Sequence, residues 1–226
     1  YDRNLSVTVF VGTRSATAST RDFDDESLKT AVADALKRAG EARENPEALP
    51  LIEGPQEYVA VDAALPSGVN FGPAERARMV KQSLDICQKK GVIGSGYIPK
   101  THQTTCTANS KGLFAYYQSA EASFILTCRT KDGGGSGWAG STGIKDISLI
   151  NAAELTEIAS DKALKSQKPR AIEPGRYTTI LEPRANARLL SLMTGLFNAR
   201  TAEGPVGNYF SGKQPGTTKV GEKLFS

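Results

Sequence analysis

One histidine and three cysteines are the residues of this chain best equipped for chemistry. His102 and Cys106 form H-x-x-x-C, and residues four apart on a strand face the same side, so two zinc ligands are geometrically possible. A closed tetrahedral site needs two more donors. There is no second histidine and no C-x-x-C, and Cys128 is the only remote candidate. A surface strand carrying a half-buried cysteine is therefore the expectation. Cys106 or Cys128 as a nucleophile would need His102 as its base and an acid to orient it, and the local spacing supplies neither. Cys87, Cys106 and Cys128 are odd in number and unclustered in sequence. A reduced, cytoplasmic compartment is expected rather than a disulfide framework.

"DGGGSGWAG" (Asp132 to Gly140) invites a phosphate reading, because glycines free backbone N–H groups to face anions. A phosphate loop needs G-K-[ST] opening a helix, whereas this one runs into "WAGSTG". The sequence predicts a flexible hairpin loop, Lys131–Ser136, exposed at a sheet rim. Trp138 beside it is either a contact residue or a core anchor. "LLSLMTGLF" sets Leu189, Leu192, Met193 and Leu196 on one apolar face. A helix from Pro183 to about Asn198 that buries those four residues is expected.

These residues need elements to hold them. "LSVTVFVG" and "SATASTRDF" read as antiparallel strands about Gly12-Thr13-Arg14. Asp24 or Asp25 caps a helix whose Leu28, Ala31, Val32, Ala35, Leu36 and Ala39 line one face. After a proline-rich loop, "EYVAV" reads as a short strand. Pro73 opens a helix that Gly91 ends, with Met79, Val80, Leu84, Ile86 and Cys87 as core. "VIGSGYIPK", "HQTTCTANS", "LFAYYQSAEASFILTCRT" and "SGWAGS" read as an antiparallel meander, turning at Asn109–Gly112 and Lys131–Gly135. Asn151 with Glu154 starts a third helix, "NAAELTEIASDKALKSQ". "KPRAIEPG" is the expected domain boundary, followed by a strand, "RYTTILE". Strands mixed with separate helices argue an α+β fold, an antiparallel sheet with flanking helices.

With 226 residues, 39% hydrophobic and 23% charged, the chain is globular rather than disordered. A net charge of +4 without a run of five like charges fits a solvated surface, so nucleic acid is not an expected partner. Neither a membrane span nor a signal segment is evident. Tyr1 is not an initiator Met, and "YDRNLSVTVFVG" reads as a strand in progress. Ser226 closes a strand-like "KLFS". A fragment cut at both ends is expected.

Four phrases, "GTRSATASTRDFDDESLKTAVADALKRA", "TANSKGLFAYYQS", "YTTILEPRANARLL" and "GKQPGTTKVGEKLFS", together resemble the TldD/PmbA family, metalloproteases historically labelled modulators of DNA gyrase. Their order and spacing carry the resemblance, over nearly the whole chain. It implies an N-terminal α+β region, here residues 1–168 with its beginning missing. A linker and the truncated start of a β-rich C-terminal domain would follow at 169–226. Active members are zinc proteases of flexible peptides. In the TldD-type subunit, the helix after the "ILEP"-like strand carries H-E-x-x-x-H, two zinc ligands and a general base.

On this sequence that motif falls on Ser191 to Leu196. Ser191 and Leu196 replace the histidines and Leu192 replaces the glutamate. Leucine offers no lone pair, a neutral serine hydroxyl is a poor zinc ligand, and no base remains. The resemblance therefore points to the PmbA (TldE) type, with no catalytic, metal or cofactor-binding residue in this chain and zinc only in a TldD-like partner. The alternatives are a homodimeric peptide-binding protein without activity, or a hydrolase whose catalytic residues lie in the missing C-terminal part.

Overall fold

The computed structural model describes residues 2–203, 207–208, 210–214 and 217–219. It divides into two compact units, Tyr1–Pro169 and Arg170–Ser226. The expected closing strand "KLFS" lies outside the described residues.

The first unit opens with a ribbon, β1 (Leu5–Val11) and β2 (Arg14–Thr20), paired antiparallel from Leu5↔Thr20 to Val11↔Arg14. Gly12, at φ +62°, makes the tight turn that a side chain would resist. Helix α1 (Asp25–Glu41) begins where the Asp24 carboxylate accepts from the Ser27 N–H at 2.9 Å and the Ser27 hydroxyl at 2.7 Å. Only Ala31, Ala35 and Ala39 of this helix are buried. Val32 and Leu36, expected on the inner face, are exposed. A two-stranded ribbon is narrow, and it covers one stripe of small residues at four-residue spacing rather than a full apolar face.

Glu57–Val61, read as a strand, forms none: no described strand lies beside it, and Val59 is 90% exposed. The proline-rich loop is instead tied down at points. The Asn109 side-chain amide donates to Ile52 O (2.8 Å), Gly54 N donates to Lys111 O (3.0 Å) and Ala120 N donates to Ala63 O (2.8 Å). A short helix, α2 (Pro66–Val69), follows.

The central layer has helices α3 (Pro73–Lys90) and α4 (Ala152–Lys165) on one face of a sheet. Pro73 sits in the first turn of α3, Glu75 Oε2 accepts from Gly72 N at 3.0 Å, and Gly91 ends the helix in the left-handed region. β3 (Val92–Tyr97) and β4 (Lys100–Ala108) both pair antiparallel with β5 (Phe114–Thr130), and the register from Val92↔Thr130 to Ala108↔Phe114 never shifts. Pro99 O continues it by accepting from Ser123 N at 3.0 Å. The two strands expected here are thus one long strand interrupted at Ile98-Pro99, where proline has no N–H to give. β6 (Ser136–Ile144) adds to the opposite edge of β5, with a bulge between Ala122 and Phe124. All four strands form, but β3 and β4 lie end to end on one edge of β5, so the sheet is three rows wide.

The core joins Phe124, Leu126 and Cys128 of β5 to Ala139 of β6, Cys87 of α3 and Ala152, Ala159 and Ala163 of α4. Asn151 caps α4, its Oδ1 accepting from Glu154 N at 3.1 Å. Gly137 sets the spacing, because a Cβ there would stand 2.2 Å from Ala159 O and 2.5 Å from Ala163 N. On α3 the inward stripe is Met79, Ser83 and Cys87; Val80 and Leu84, expected in the core, are exposed. Their place inside is taken by Ser83, whose hydroxyl accepts from Thr156 Oγ1 at 3.0 Å across the helix pair.

In the second unit, Arg176–Glu182 forms no strand, for want of a described neighbour to pair with, and Ile180 is 95% exposed. Helix α5 (Pro183–Thr194) passes into a 3₁₀ turn at Gly195–Phe197, and α6 (Ala199–Glu203) follows. Asn198 Oδ1 caps α6 by accepting from Thr201 N at 3.1 Å. The Phe197 and Phe210 rings stack with centroids 4.8 Å apart, Phe210 and Ala202 are buried, and Asn208 Nδ2 donates to Leu196 O at 2.9 Å.

Candidate functional site

Helix α5 forms where the zinc-motif resemblance falls, and its side chains turn inward to their own backbone or out to solvent. Ser191 Oγ donates to Arg188 O at 2.8 Å and Thr194 Oγ1 donates to Ser191 O at 2.7 Å, one turn back in each case. Leu192 is 65% exposed, Leu189 is exposed, and Met193 and Leu196 are half-buried. The expectation that this helix buries all four is corrected: α5 buries none of its residues. A hydroxyl with its proton committed to the helix and two alkyl side chains do not fit a zinc ion.

His102 and Cys106 do share a face of β4, opposite Ala120 and Tyr116 of β5, and both are exposed. Gln118 Nε2 donates to His102 Nε2 at 2.9 Å, which occupies the ring lone pair a metal would use. Cys128 pairs with Gly94, eight residues further along β5 than Ala120, a separation of about 26 Å along the strand. Within this chain His102 and Cys128 are therefore too far apart to share a metal or to act as base and nucleophile. Among the described residues, no group of three or more histidine, cysteine or carboxylate side chains could hold a metal ion.

The glycine loop is built tightly rather than flexibly. Thr130 N donates to Gly135 O (3.0 Å), Gly135 N to Thr130 Oγ1 (2.8 Å), Gly133 N to Thr130 O (2.9 Å) and Gly134 N to Asp132 Oδ1 (3.1 Å). Thr130 Oγ1 also donates to Asp132 Oδ1 at 2.6 Å. The Thr130 hydroxyl, with the Gly134 N–H, holds the Asp132 carboxyl below its ordinary range. The amides a phosphate would need are engaged within the loop. Lys131 to Gly134 and Ser136 are exposed as expected, and Gly135 alone of the loop is buried, against α4. Trp138 is half-buried on β6 opposite Thr127.

What the sequence reading missed is a pair. Cys87 Sγ and Cys128 Sγ lie 3.7 Å apart, both buried and both free thiols. Cys128 Sγ is also 3.5 Å from Ser160 Oγ. Burial, and secondarily the neighbouring Cys128, push the Cys87 thiol up to about 11. The two positions are 41 residues apart, on a helix and a strand, and only the packing of α3 on the sheet brings them together.

The layered sheet and its two covering helices define the class: an α+β domain, an antiparallel sheet with helices packed on one face. Residues 76–167 match the family model described as the PmbA/TldA metallopeptidase central domain. That match covers residues 76–167 and supports a relationship of this central region to the TldD/PmbA family. Among solved structures, a candidate modulator of DNA gyrase from Bacteroides thetaiotaomicron is similar at TM-score 0.73 and 15% identity, over 88% of this chain and 48% of that one. A second, from Thermotoga maritima, has TM-score 0.65 and 17% identity over 91% and 48%. TldE from Thermococcus kodakarensis has TM-score 0.55 and 15% identity over 72% and 42%. The chain thus spans about half the length of the structures it resembles. No curated protein matches its sequence.

Proposed function

We propose that this chain is the non-zinc subunit of a TldD/PmbA-type protease, of the PmbA (TldE) type, pairing with a zinc-bearing TldD-like partner in the proteolysis of flexible peptides. The observation that carries this reading is the donor set on α5 and the 3₁₀ turn that follows it. Ser191, Leu192 and Leu196 stand at the positions of the family motif, and they offer neither two nitrogen ligands nor a base. Residues 1–168 serve as the N-terminal α+β region and 169–226 as the linker and start of the C-terminal domain. The exposed apolar side chains of α5 are covered in the longer protein or by the partner. No helix among the described residues is long and apolar enough to cross a membrane. The proposal places the protein in the cytoplasm, with no cofactor of its own.

Metal analysis of the full-length protein tests this. After dialysis the protein alone carries no stoichiometric zinc and cleaves no peptide, and a zinc-motif partner restores chelator-sensitive proteolysis. About one tightly held zinc per chain, the stoichiometry of a catalytic site, would overturn the reading. The combined substitutions Ser191→His, Leu192→Glu and Leu196→His give at most weak zinc affinity, because nothing orients the new imidazoles.

A further inference from the structure

We propose that Cys87 and Cys128 are an oxidative modification site, a buried dithiol that a peroxide closes reversibly into a disulfide tying α3 to β5. The sulfurs are at van der Waals separation, 3.7 Å, against about 2.05 Å in a disulfide, so a modest side-chain rotation closes the gap. Gly94 makes the approach possible. It is the β3 partner of Cys128, and a Cβ at that position would stand 2.8 Å from Cys87 Sγ. Any other residue would crowd the sulfur on α3 away from the strand. The β6 partner of Cys128 is Gly137, so no side chain on either neighbouring strand flanks it at that register.

Ser160 orients the second thiol. Its hydroxyl donates to Thr156 O at 2.7 Å, which leaves the oxygen as the acceptor for the Cys128 S–H at 3.5 Å. The lone pairs of Cys128 are then free to face Cys87. Access runs through a pocket of about 150 Å³ between α3 and β3, lined by Val80, Leu84, Gly94, Gly96 and Cys87 itself. A small neutral oxidant such as hydrogen peroxide fits there, and Cys128, at 0% exposure, is reached only through Cys87.

The chemistry balances in two steps. The Cys87 thiolate attacks one peroxide oxygen, the O–O bond breaks, and the departing hydroxide takes up the thiol proton as water, leaving a sulfenic acid. The Cys128 sulfur then attacks the Cys87 sulfur, the S–O bond breaks, and the leaving hydroxide takes the Cys128 proton as a second water. Two thiols lose two electrons and the peroxide gains them. Because burial holds the Cys87 proton, closure is slow at neutral pH and accelerates about tenfold per pH unit until the thiol titrates.

The test uses the full chain carrying Cys106→Ser, which removes the exposed thiol. It is treated with hydrogen peroxide under native conditions, unfolded in an alkylating agent and digested without reductant. The expected product is a cross-linked peptide pair containing Cys87 and Cys128, two hydrogens lighter than the separate peptides and released by dithiothreitol. The oxidised protein melts higher than the reduced one, and Gly94→Ala slows closure at least severalfold. Recovery of both cysteines alkylated, under exposure that fully oxidises Cys106 in the unsubstituted chain, would overturn the proposal. Sulfinic acid at Cys87 without a cross-link would overturn it equally. Both readouts come from a chain with the core thiols intact, so neither depends on a core variant that fails to fold.

Discussion

Helices α4 and α5 both carry helical apolar spacing, and they meet opposite fates. α4 buries Ala152, Thr156, Ala159, Ser160 and Ala163, all small, against β5 and β6. α5 offers the larger Leu189, Leu192 and Met193 and buries none of them. Periodicity fixes which face a helix presents; a matching surface decides whether that face is covered. For α4 the surface is a sheet with Gly137 at the contact, close enough that only small side chains fit between. Leucines suit a more distant and deeper partner, which the described residues of the second unit do not supply.

The largest effect expected on this contrast is in the central layer. Phe124, 3% exposed at the middle of the core, should cost about 3–5 kcal/mol when changed to Ala. Urea unfolding followed by the fluorescence of Trp138, the only tryptophan, reads this unit alone. Next comes Gly137→Ala, where the new methyl meets the α4 backbone rather than a flexible side chain. Overpacking of that kind should cost about 3 kcal/mol. A neutral result would mean that α4 is free to shift, and that its burial is looser than the alanine stripe implies.

Acid should act on the same unit. Five of its carboxyls are held below their ordinary range: Asp24 by the Ser27 N–H, Glu75 by its own N–H and that of Gly72, Asp132 by the Thr130 hydroxyl, Asp146 by the Ser148 hydroxyl and Asp161 by the Lys90 ammonium. Carboxyls depressed in the folded state contribute stability that is fully present above their unfolded values, about 4. That contribution is lost as pH falls through the folded values. The Trp138-detected midpoint should therefore hold between pH 7 and 5 and drop below about pH 4. Asp132→Asn should flatten that drop, and an unchanged acid slope would count against the loop network around Thr130.

The central layer was legible in the sequence where local chemistry is decisive. Asn151 as a cap, Pro73 and Gly91 as helix limits, the Asn109–Gly112 turn and the alternation along Phe114–Thr130 all read directly, and outside this layer the α1 cap narrowed to Asp24 or Asp25. What failed was whatever depends on a neighbour far along the chain. Glu57–Val61 and Arg176–Glu182 have strand composition, but a strand also needs a ladder partner. Val80 and Leu84 outrank Ser83 in hydrophobicity, yet Ser83 faces α4 because Thr156 offers it a hydrogen bond. The Cys87–Cys128 pair was invisible for the same reason, although each sits at a position whose period points inward. At Ser191, Leu192 and Leu196 the reading rests on side-chain chemistry alone, since no packing gives leucine a lone pair.

The smallest expected effect separates the two helices most cleanly. Leu192→Ala in this chain removes a side chain that is 65% exposed, and alanine is at least as good a helix former. The change in stability should stay within about 0.5 kcal/mol. If a longer protein or a zinc-bearing partner covers α5, the same substitution there should cost roughly 2–5 kcal/mol, because it would then open a cavity. Measuring Leu192→Ala in both settings, with Phe124→Ala as the reference for a buried site, turns the contrast into one number. A cost of several kcal/mol in the chain alone would mean that α5 is already covered, and the distinction drawn between the two helices would fail. Equal, near-zero costs in both settings would leave α5 a surface helix and remove the packing support for a partner on that face.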